Sequence, residues 1–295
     1  GMEVNCEGCA GCCIDWRPLG AVSAHEHRGA RKPLDDVYNL VPLSRDDVRA
    51  MLAAGFVDAM TPRLWAAEGG PTVQIDGHAI AALEGKPVFF VGLRKVPKPV
   101  APFDAAPRWL DTCIFLDPAT LQCRIHGDEA YPEECAAYPG HNLAMGATAE
   151  CERVEEVFGG TRLVDDEAPE EGDDLLLGPQ AVGQKVFAYP DPDELRGVID
   201  RAVRGALTRE DRARFVAAAA ASAPGSPTVA AERFETAFES AMAADGWIPD
   251  AIQEWRTRAG ESDSADTQRE ATEPDPALAT QVEDERGAPP TPGWD

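Results

Sequence analysis

Cys6-Glu7-Gly8-Cys9-Ala10-Gly11-Cys12-Cys13 is the most informative stretch of this chain, because it places four thiols within eight residues. The other four cysteines follow as Cys113, Cys123, Cys135 and Cys151, so all eight lie in the first 151 of 295 residues. Thiols this close in sequence form disulfides, bind a soft metal ion or hold an iron–sulfur cluster.

The residues around this run favour metal binding over disulfides. Gly1–Asn5 has no basic start, apolar core or cleavage site, which indicates that no export signal is present. The longest apolar stretches, such as Phe215–Ala221, are too short to cross a bilayer. We therefore expect a cytoplasmic protein, and a reducing cytoplasm keeps thiols free for a metal.

The charge of the chain is strongly acidic. Asp and Glu number 52 against 27 Lys and Arg, which gives a net charge of −25 and a pI near 4.5. Such a surface stays hydrated in high salt and is typical of a halophile's cytosolic protein. Binding to nucleic acid or to an anionic membrane is not expected, because no basic stripe is present to neutralise phosphates.

Local patterns predict short helices and strands after the cysteine run. Ser44-Arg45-Asp46-Asp47 indicates a helix start, and Thr61-Pro62 indicates a second, short helix. Thr72–Ile75 and Val88–Val91 have the composition of strands. The proline-rich stretch Pro97–Pro107 predicts a loop.

The predicted fold class is α+β. A small cysteine-rich metal-binding domain is followed by a linker, a helical segment and a tail that has too few apolar residues to fold. The predicted bounds are 1–160 for the cysteine-rich domain, 161–190 for the acidic linker, 191–259 for the helical segment and 260–295 for the disordered acidic tail.

The spacing of the first cysteines suits a metal site. Two sulfurs in a CxxC step can reach one ion, and the glycines at Gly8 and Gly11 allow the backbone to turn tightly. The triple step Cys6, Cys9, Cys12 is also the spacing that holds three corners of a cubane cluster. Cys13 points away from Cys12 in this interpretation, which indicates a second ion or a second edge of one cluster.

The distal cysteines complete the candidate ligand set. A predicted hairpin of Ile114–Leu116 and Leu121–Ile125 brings Cys113 close to Cys123. The eight candidate metal ligands are Cys6, Cys9, Cys12, Cys13, Cys113, Cys123, Cys135 and Cys151.

These residues resemble the CxxCxxCC cysteine-cluster family (YkgJ-type, zinc- or iron-chelating domain). The resemblance covers residues 5–155 and rests on the opening octet and the ordered distal cysteines. It implies zinc or iron binding. The chain departs from the family at two places. It has Tyr131-Pro132 where the family has Arg-Pro, and it has Ala136 where the family has arginine. A related motif occurs in flagellin lysine methylases, which look like iron–sulfur enzymes that use S-adenosylmethionine.

Three functions stay open from the sequence. The chain binds iron or an iron–sulfur cluster for redox or enzymatic chemistry, or it is a structural zinc module that presents a surface to a partner protein, or it is an S-adenosylmethionine enzyme like the flagellin methylases. No P-loop, dinucleotide-binding glycine motif, nucleophile elbow or HExxH motif is present, so no catalytic residue is predicted.

Overall fold

The computed structural model describes residues 10–15, 17–19, 31–101, 107–137, 184–223, 226–260 and 274–285. The strands in these ranges are β1 (Met60–Leu64), β2 (Thr72–Ile75), β3 (His78–Leu83), β4 (Lys86–Leu93), β5 (Lys95–Val100), β6 (Arg108–Cys113) and β7 (Phe187–Ala188). The α-helices are α1 (Arg45–Ala53), α2 (Glu133–Ala137), α3 (Val198–Val203), α4 (Arg209–Ala221), α5 (Ala231–Ala243), α6 (Ile248–Arg258) and α7 (Pro276–Glu285).

The architecture is α+β, as predicted from the sequence. The larger sheet has the order β1-β4-β3-β2, with β7 added to β4, and its named pairs are antiparallel. β5 and β6 form a second antiparallel sheet. Helices α4 and α5 pack on each other, and α4 also packs against β1 and α1.

The start of α1 follows from its sequence. The Ser44 side chain accepts a hydrogen bond from the Asp47 backbone N–H at 3.1 Å, and the Ser44 N–H donates to the Asp47 carboxylate at 2.9 Å. This reciprocal pair satisfies two of the N–H groups that every helix start leaves open. The predicted helix start at Ser44 is confirmed.

Two proline-containing segments are strands, contrary to the sequence predictions. Residues 60–64 form β1, in which Pro62 lies opposite Val91 of β4, so no helix starts at Thr61. Lys95–Val100 forms β5 although Pro97 and Pro99 lie within it. β5 pairs with β6 alone in its sheet, and a strand edge tolerates proline because no N–H is required there.

The helical segment shares one hydrophobic core with the sheets. The Phe215 ring of α4 lies 5.0 Å from the ring of Phe89 in β4, and Tyr189 and Phe187 surround the same ring. This core contains buried residues from Ala10 to Val282.

The predicted linker and tail both contain folded residues. Within 161–190, Phe187–Ala188 forms β7 and Tyr189 is fully buried. Within 260–295, α7 buries Ala279, Val282 and Glu283, so the prediction of a disordered tail is wrong for residues 276–285. Local composition failed here because the helix is held by a buried lysine far away in sequence, Lys98.

Gly92 is required by the close approach of residues 40–41 to β4. A Cβ atom at Gly92 would lie 2.4 Å from Leu40 Cγ and 2.7 Å from the Val41 carbonyl oxygen. We expect Gly92→Ala to lower the free energy of unfolding by about 1–3 kcal/mol, because the backbone must shift to admit the methyl group. Urea unfolding checks this, with Gly69→Ala as control, since a Cβ there meets nothing within 4 Å. Equal stability of the two variants would contradict the tight contact.

Candidate functional site

Backbone pairing places two predicted site residues and one lysine in a row. Ile14 bridges Thr112 in antiparallel register, which brings the preceding Cys13, the last residue of the 3-10 helix Gly11–Cys13, close to Cys113 at the end of β6. On the other side of β6, Cys113 pairs directly with Lys95 of β5. Residues directly opposite each other on antiparallel strands share a face, with Cβ atoms about 4.5–5.5 Å apart. Lys95, Cys113 and Cys13 therefore form one row across three chain segments.

Two further cysteines join this row through short local elements. Cys123 forms an isolated bridge with Leu116, which follows Cys113 closely in sequence. Cys135 lies in helix α2, and its sulfur is close enough to Cys13 for their charges to interact. We call Cys12, Cys13, Cys113, Cys123 and Cys135 the thiol site. All five are free thiols, of which Cys12 is exposed and Cys113 is buried.

The loop 36–39 holds the turn that carries Cys12 and Cys13. Asn39 donates its side-chain N–H to the Cys12 carbonyl oxygen at 2.9 Å. Arg17 links this loop to the strand-like segment of Ile14, because it contacts Asp15 at 2.6 Å and Asp36 at 2.8 Å. These contacts fix the position of Cys12 at the exposed end of the site.

Lys95 supplies a positive charge inside the thiol site. Its Nζ atom is buried and makes no hydrogen bond within the described part of the chain. It lies 5.4 Å from the centre of the Tyr38 ring, which offers only a cation–π contact. Burial lowers the pKa of Lys95, whereas Cys13, Cys113 and Cys12 act in the opposite direction. The ammonium is therefore placed where it stabilises a neighbouring thiolate.

The thiols of Cys12 and Cys13 differ in acidity. The Cys12 side chain is hydrogen bonded to Cys13, and this contact, with help from Lys95, lowers the pKa of Cys12 to about 7 despite desolvation of the sulfur. The same hydrogen bond, together with burial, raises the pKa of Cys13. Burial also raises the pKa of Cys113 and of Cys135, and it raises that of Cys123 to about 12. Among the five thiols of the site, that of Cys12 is thus the most readily ionised near neutral pH.

A buried ion pair between Lys98 and Glu283 fixes the backbone next to the thiol site. Lys98 Nζ donates to the carbonyl oxygens of Ile114 at 2.9 Å and Leu116 at 2.6 Å, and it contacts Glu283 of α7 at 2.6 Å. Both charged side chains are fully buried, at 0% exposure. Lys98 therefore fixes the backbone between Cys113 and Cys123 and ties it to the C-terminal helix.

The prediction that the chain chelates zinc or iron is wrong. Among the residues that the structure describes, no group of three or more His, Cys, Asp or Glu side chains could hold a metal ion. The structural zinc module and the iron–sulfur enzyme are overturned with it, because both need such a group. Physically, Cys12 and Cys13 are hydrogen bonded to each other, and the Lys95 ammonium already supplies the cation beside them.

The predicted ligands are thus brought together only in part. The structure places Cys12, Cys13, Cys113, Cys123 and Cys135 near one another, whereas Cys6, Cys9 and Cys151 lie outside the described residues. Lys95 and Asn39 were missed from the sequence. The only signal for Lys95 was its position at the start of the alternating stretch that forms β5.

The fold and the site define an α+β protein with reduced thiols beside a buried lysine. The chain matches DUF7531, a family of unknown function, over residues 2–295, and it belongs to that family. No curated protein and no solved structure matches the chain. The resemblance to the CxxCxxCC family stays a prediction, because these comparisons contain nothing on that family.

Within the described ranges, no helix is long and apolar enough to span a membrane.

Proposed function

We propose that this protein carries out thiol–disulfide exchange, with Cys12 as the attacking thiol and Cys13 as the resolving thiol. The observation that supports this most strongly is the row Lys95, Cys113, Cys13 with the exposed Cys12 at its end. Reactive cysteines are exposed thiols next to a positive charge, whereas buried inert cysteines have neither feature. Cys12 meets both conditions.

The two thiols and the substrate disulfide are the only reactants that this exchange requires. The Cys12 thiolate attacks one sulfur of a substrate disulfide, forms a mixed disulfide and releases one substrate thiol. Cys13, which is hydrogen bonded to Cys12, then attacks the Cys12 sulfur and releases the second substrate thiol. The protein dithiol is oxidised to a disulfide while the substrate disulfide is reduced to two thiols.

Cys113, a free thiol close to Cys13, can take over the disulfide that forms between Cys12 and Cys13. Cα atoms bridged by a disulfide lie about 4.4–6.8 Å apart, and the antiparallel bridge between the neighbouring Ile14 and Thr112 brings the two chain segments within such a distance. Transfer of the disulfide from Cys12–Cys13 to Cys13–Cys113 would free the Cys12 thiol. The proposal suits the cytoplasmic location expected from the sequence, because disulfides in that compartment are usually transient and catalytic or redox-sensing.

Reaction with the aromatic disulfide DTNB tests the roles of Cys12 and Cys13. With one equivalent of DTNB per chain, we expect a fast phase that releases two equivalents of thiol per chain from the wild type, one equivalent from Cys13→Ser and none from Cys12→Ser, because attack precedes resolution. The fast rate should rise with pH through about 7, where Cys12 ionises. Stopped-flow absorbance measures both quantities.

The matched control is Cys123→Ser, which leaves Cys12 and Cys13 unchanged. It should keep the fast phase and its two equivalents. Lys95→Met should move the pH midpoint of the fast phase upward, because the ammonium that favours the thiolate is removed. An unchanged fast phase in Cys12→Ser would overturn the proposal.

A further inference from the structure

Four arginines lie near one another in this strongly acidic chain, and none of them contributes to the thiol site. Arg94 lies between β4 and β5, Arg209 and Arg212 lie in the first turn of α4, and Arg256 lies in α6. We call these four residues the arginine group. Each of Arg94 and Arg212 is close enough to Arg256 to feel its charge, and Arg94 also feels that of Arg212.

One buried carboxylate faces this group. Arg94 Nη1 donates to the Asp58 backbone carbonyl at 2.8 Å, so it does not use the carboxylate. Arg209 Nε lies 3.3 Å from the Asp58 carboxylate, whose residue is 5% exposed, without forming a hydrogen bond to it. The Nε N–H of Arg209 is therefore left without an acceptor within the described residues.

The second carboxylate near the group is already neutralised. Asp211 acts on the charge of Arg212, but its two oxygens each accept a hydrogen bond from Arg201 at 2.7 Å. Arg212 instead donates one N–H to the Leu207 carbonyl oxygen at 2.6 Å. Its Nε N–H is buried and has no partner within the described residues.

The arginine side chains of this group lie close together at an electrostatic cost. Burial, followed by the charges of Arg212 and Arg256, lowers the pKa of Arg94 to about 9. A guanidinium of ordinary pKa stays charged far above this value, and the depression follows from lost hydration and from repulsion between neighbouring guanidinium groups. Buried N–H donors without acceptors, as in Arg209 and Arg212, add a further cost.

We propose that the arginine group binds a small divalent oxyanion of the phosphate class. Guanidinium forks match the oxygens of phosphate in pairs, and a doubly charged oxyanion is attracted to several guanidinium groups at once. The bound oxyanion would accept the free N–H groups of Arg209 and Arg212. This inference is independent of the thiol chemistry, because no cysteine contributes to the arginine group.

Thermal unfolding and titration calorimetry with inorganic phosphate test the site, both in molar KCl so that ionic strength stays fixed. Phosphate is expected to raise the melting temperature in a saturable manner, because a ligand that binds only the folded state stabilises it. Arg212→Met should weaken phosphate binding at least about tenfold, the loss expected when charge-assisted hydrogen bonds are removed. Arg212→Lys keeps the charge but loses the paired N–H donors, so its phosphate affinity should lie between those of the wild type and Arg212→Met.

Arg196→Met is the matched control. It removes the same charge at a side chain that is 76% exposed and pairs with Asp193, and its phosphate affinity should equal that of the wild type. Sulfate should replace phosphate, whereas acetate at equal ionic strength should not. The proposal would be overturned if phosphate did not raise the melting temperature of the wild type, or if it raised that of Arg212→Met equally.

Discussion

Glu283→Leu is expected to lower the free energy of unfolding by about 3–5 kcal/mol, the cost of leaving one charge of a buried pair unpaired. In the wild type, Lys98 and Glu283 are both fully buried and 2.6 Å apart. Without the carboxylate, Lys98 keeps the carbonyl oxygens of Ile114 and Leu116 and a cation–π contact with Trp255. These neutral acceptors do not offset the lost hydration of an ammonium group. Urea unfolding in molar KCl measures the change.

A double variant separates the pair from the packing of α7. Lys98→Met/Glu283→Leu should recover most of the lost stability, because an apolar pair of similar volume avoids the unpaired charge. Asp284→Asn is the control on the same helix. Asp284 is 61% exposed and contacts Arg124 at 3.2 Å, so its loss should cost less than about 1 kcal/mol. Similar losses in Glu283→Leu and Asp284→Asn would contradict the docking of α7.

This ion pair also links the C-terminal helix to the thiol site. Lys98 bonds to the backbone on both sides of Phe115, within the segment that joins Cys113 to Cys123. Glu283→Leu should therefore expose Cys123 to alkylation faster than Asp284→Asn does, because the segment opens more often when its bracing is weakened.

Local signals in the sequence were sufficient for the elements whose stabilising contacts are local. The helix starts at Ser44 and Thr208 were predictable because each capping residue bonds to an aspartate three positions later. The strand β1 was not, since Thr61-Pro62 is a helix-start signal that pairing with β4 outweighs. Helix α7 was missed for the same reason, because the partner of Glu283 is 185 residues away in sequence.

The candidate site was predictable in its residues but not in its chemistry. Cysteine spacing identified Cys12, Cys13 and Cys113, but spacing does not show which sulfurs face each other. That depends on the bridge between Ile14 and Thr112 and on the register that sets Lys95 opposite Cys113. A lysine in this row changes the interpretation from a cation site to an activated thiol. Its place follows from the pairing of β5, of which residues 97–100 were predicted as a loop.

Phe89→Ala is expected to lower the free energy of unfolding by about 3–5 kcal/mol, as for other fully buried phenylalanines. The Phe89 side chain is 0% exposed, and its ring lies 5.0 Å from Phe215, 5.7 Å from Phe187 and 6.5 Å from Tyr189. These three partners come from segments outside the predicted cysteine-rich domain 1–160. Removing the ring therefore weakens the contact between the sheet and the helical segment as well as the sheet itself.

The shape of the unfolding curve distinguishes one core from two domains. If the sheet and α4 unfold together, calorimetry of Phe89→Ala gives a single transition at a lower temperature, with calorimetric and van't Hoff enthalpies equal. Leu83→Ala is the control, because Leu83 lies in the same sheet but is 48% exposed, and its loss should change stability by no more than about 0.5 kcal/mol. Two separate transitions, with only one shifted by Phe89→Ala, would instead support the domain division at residues 160–191, since the shared ring contacts would then carry no coupling between the two parts.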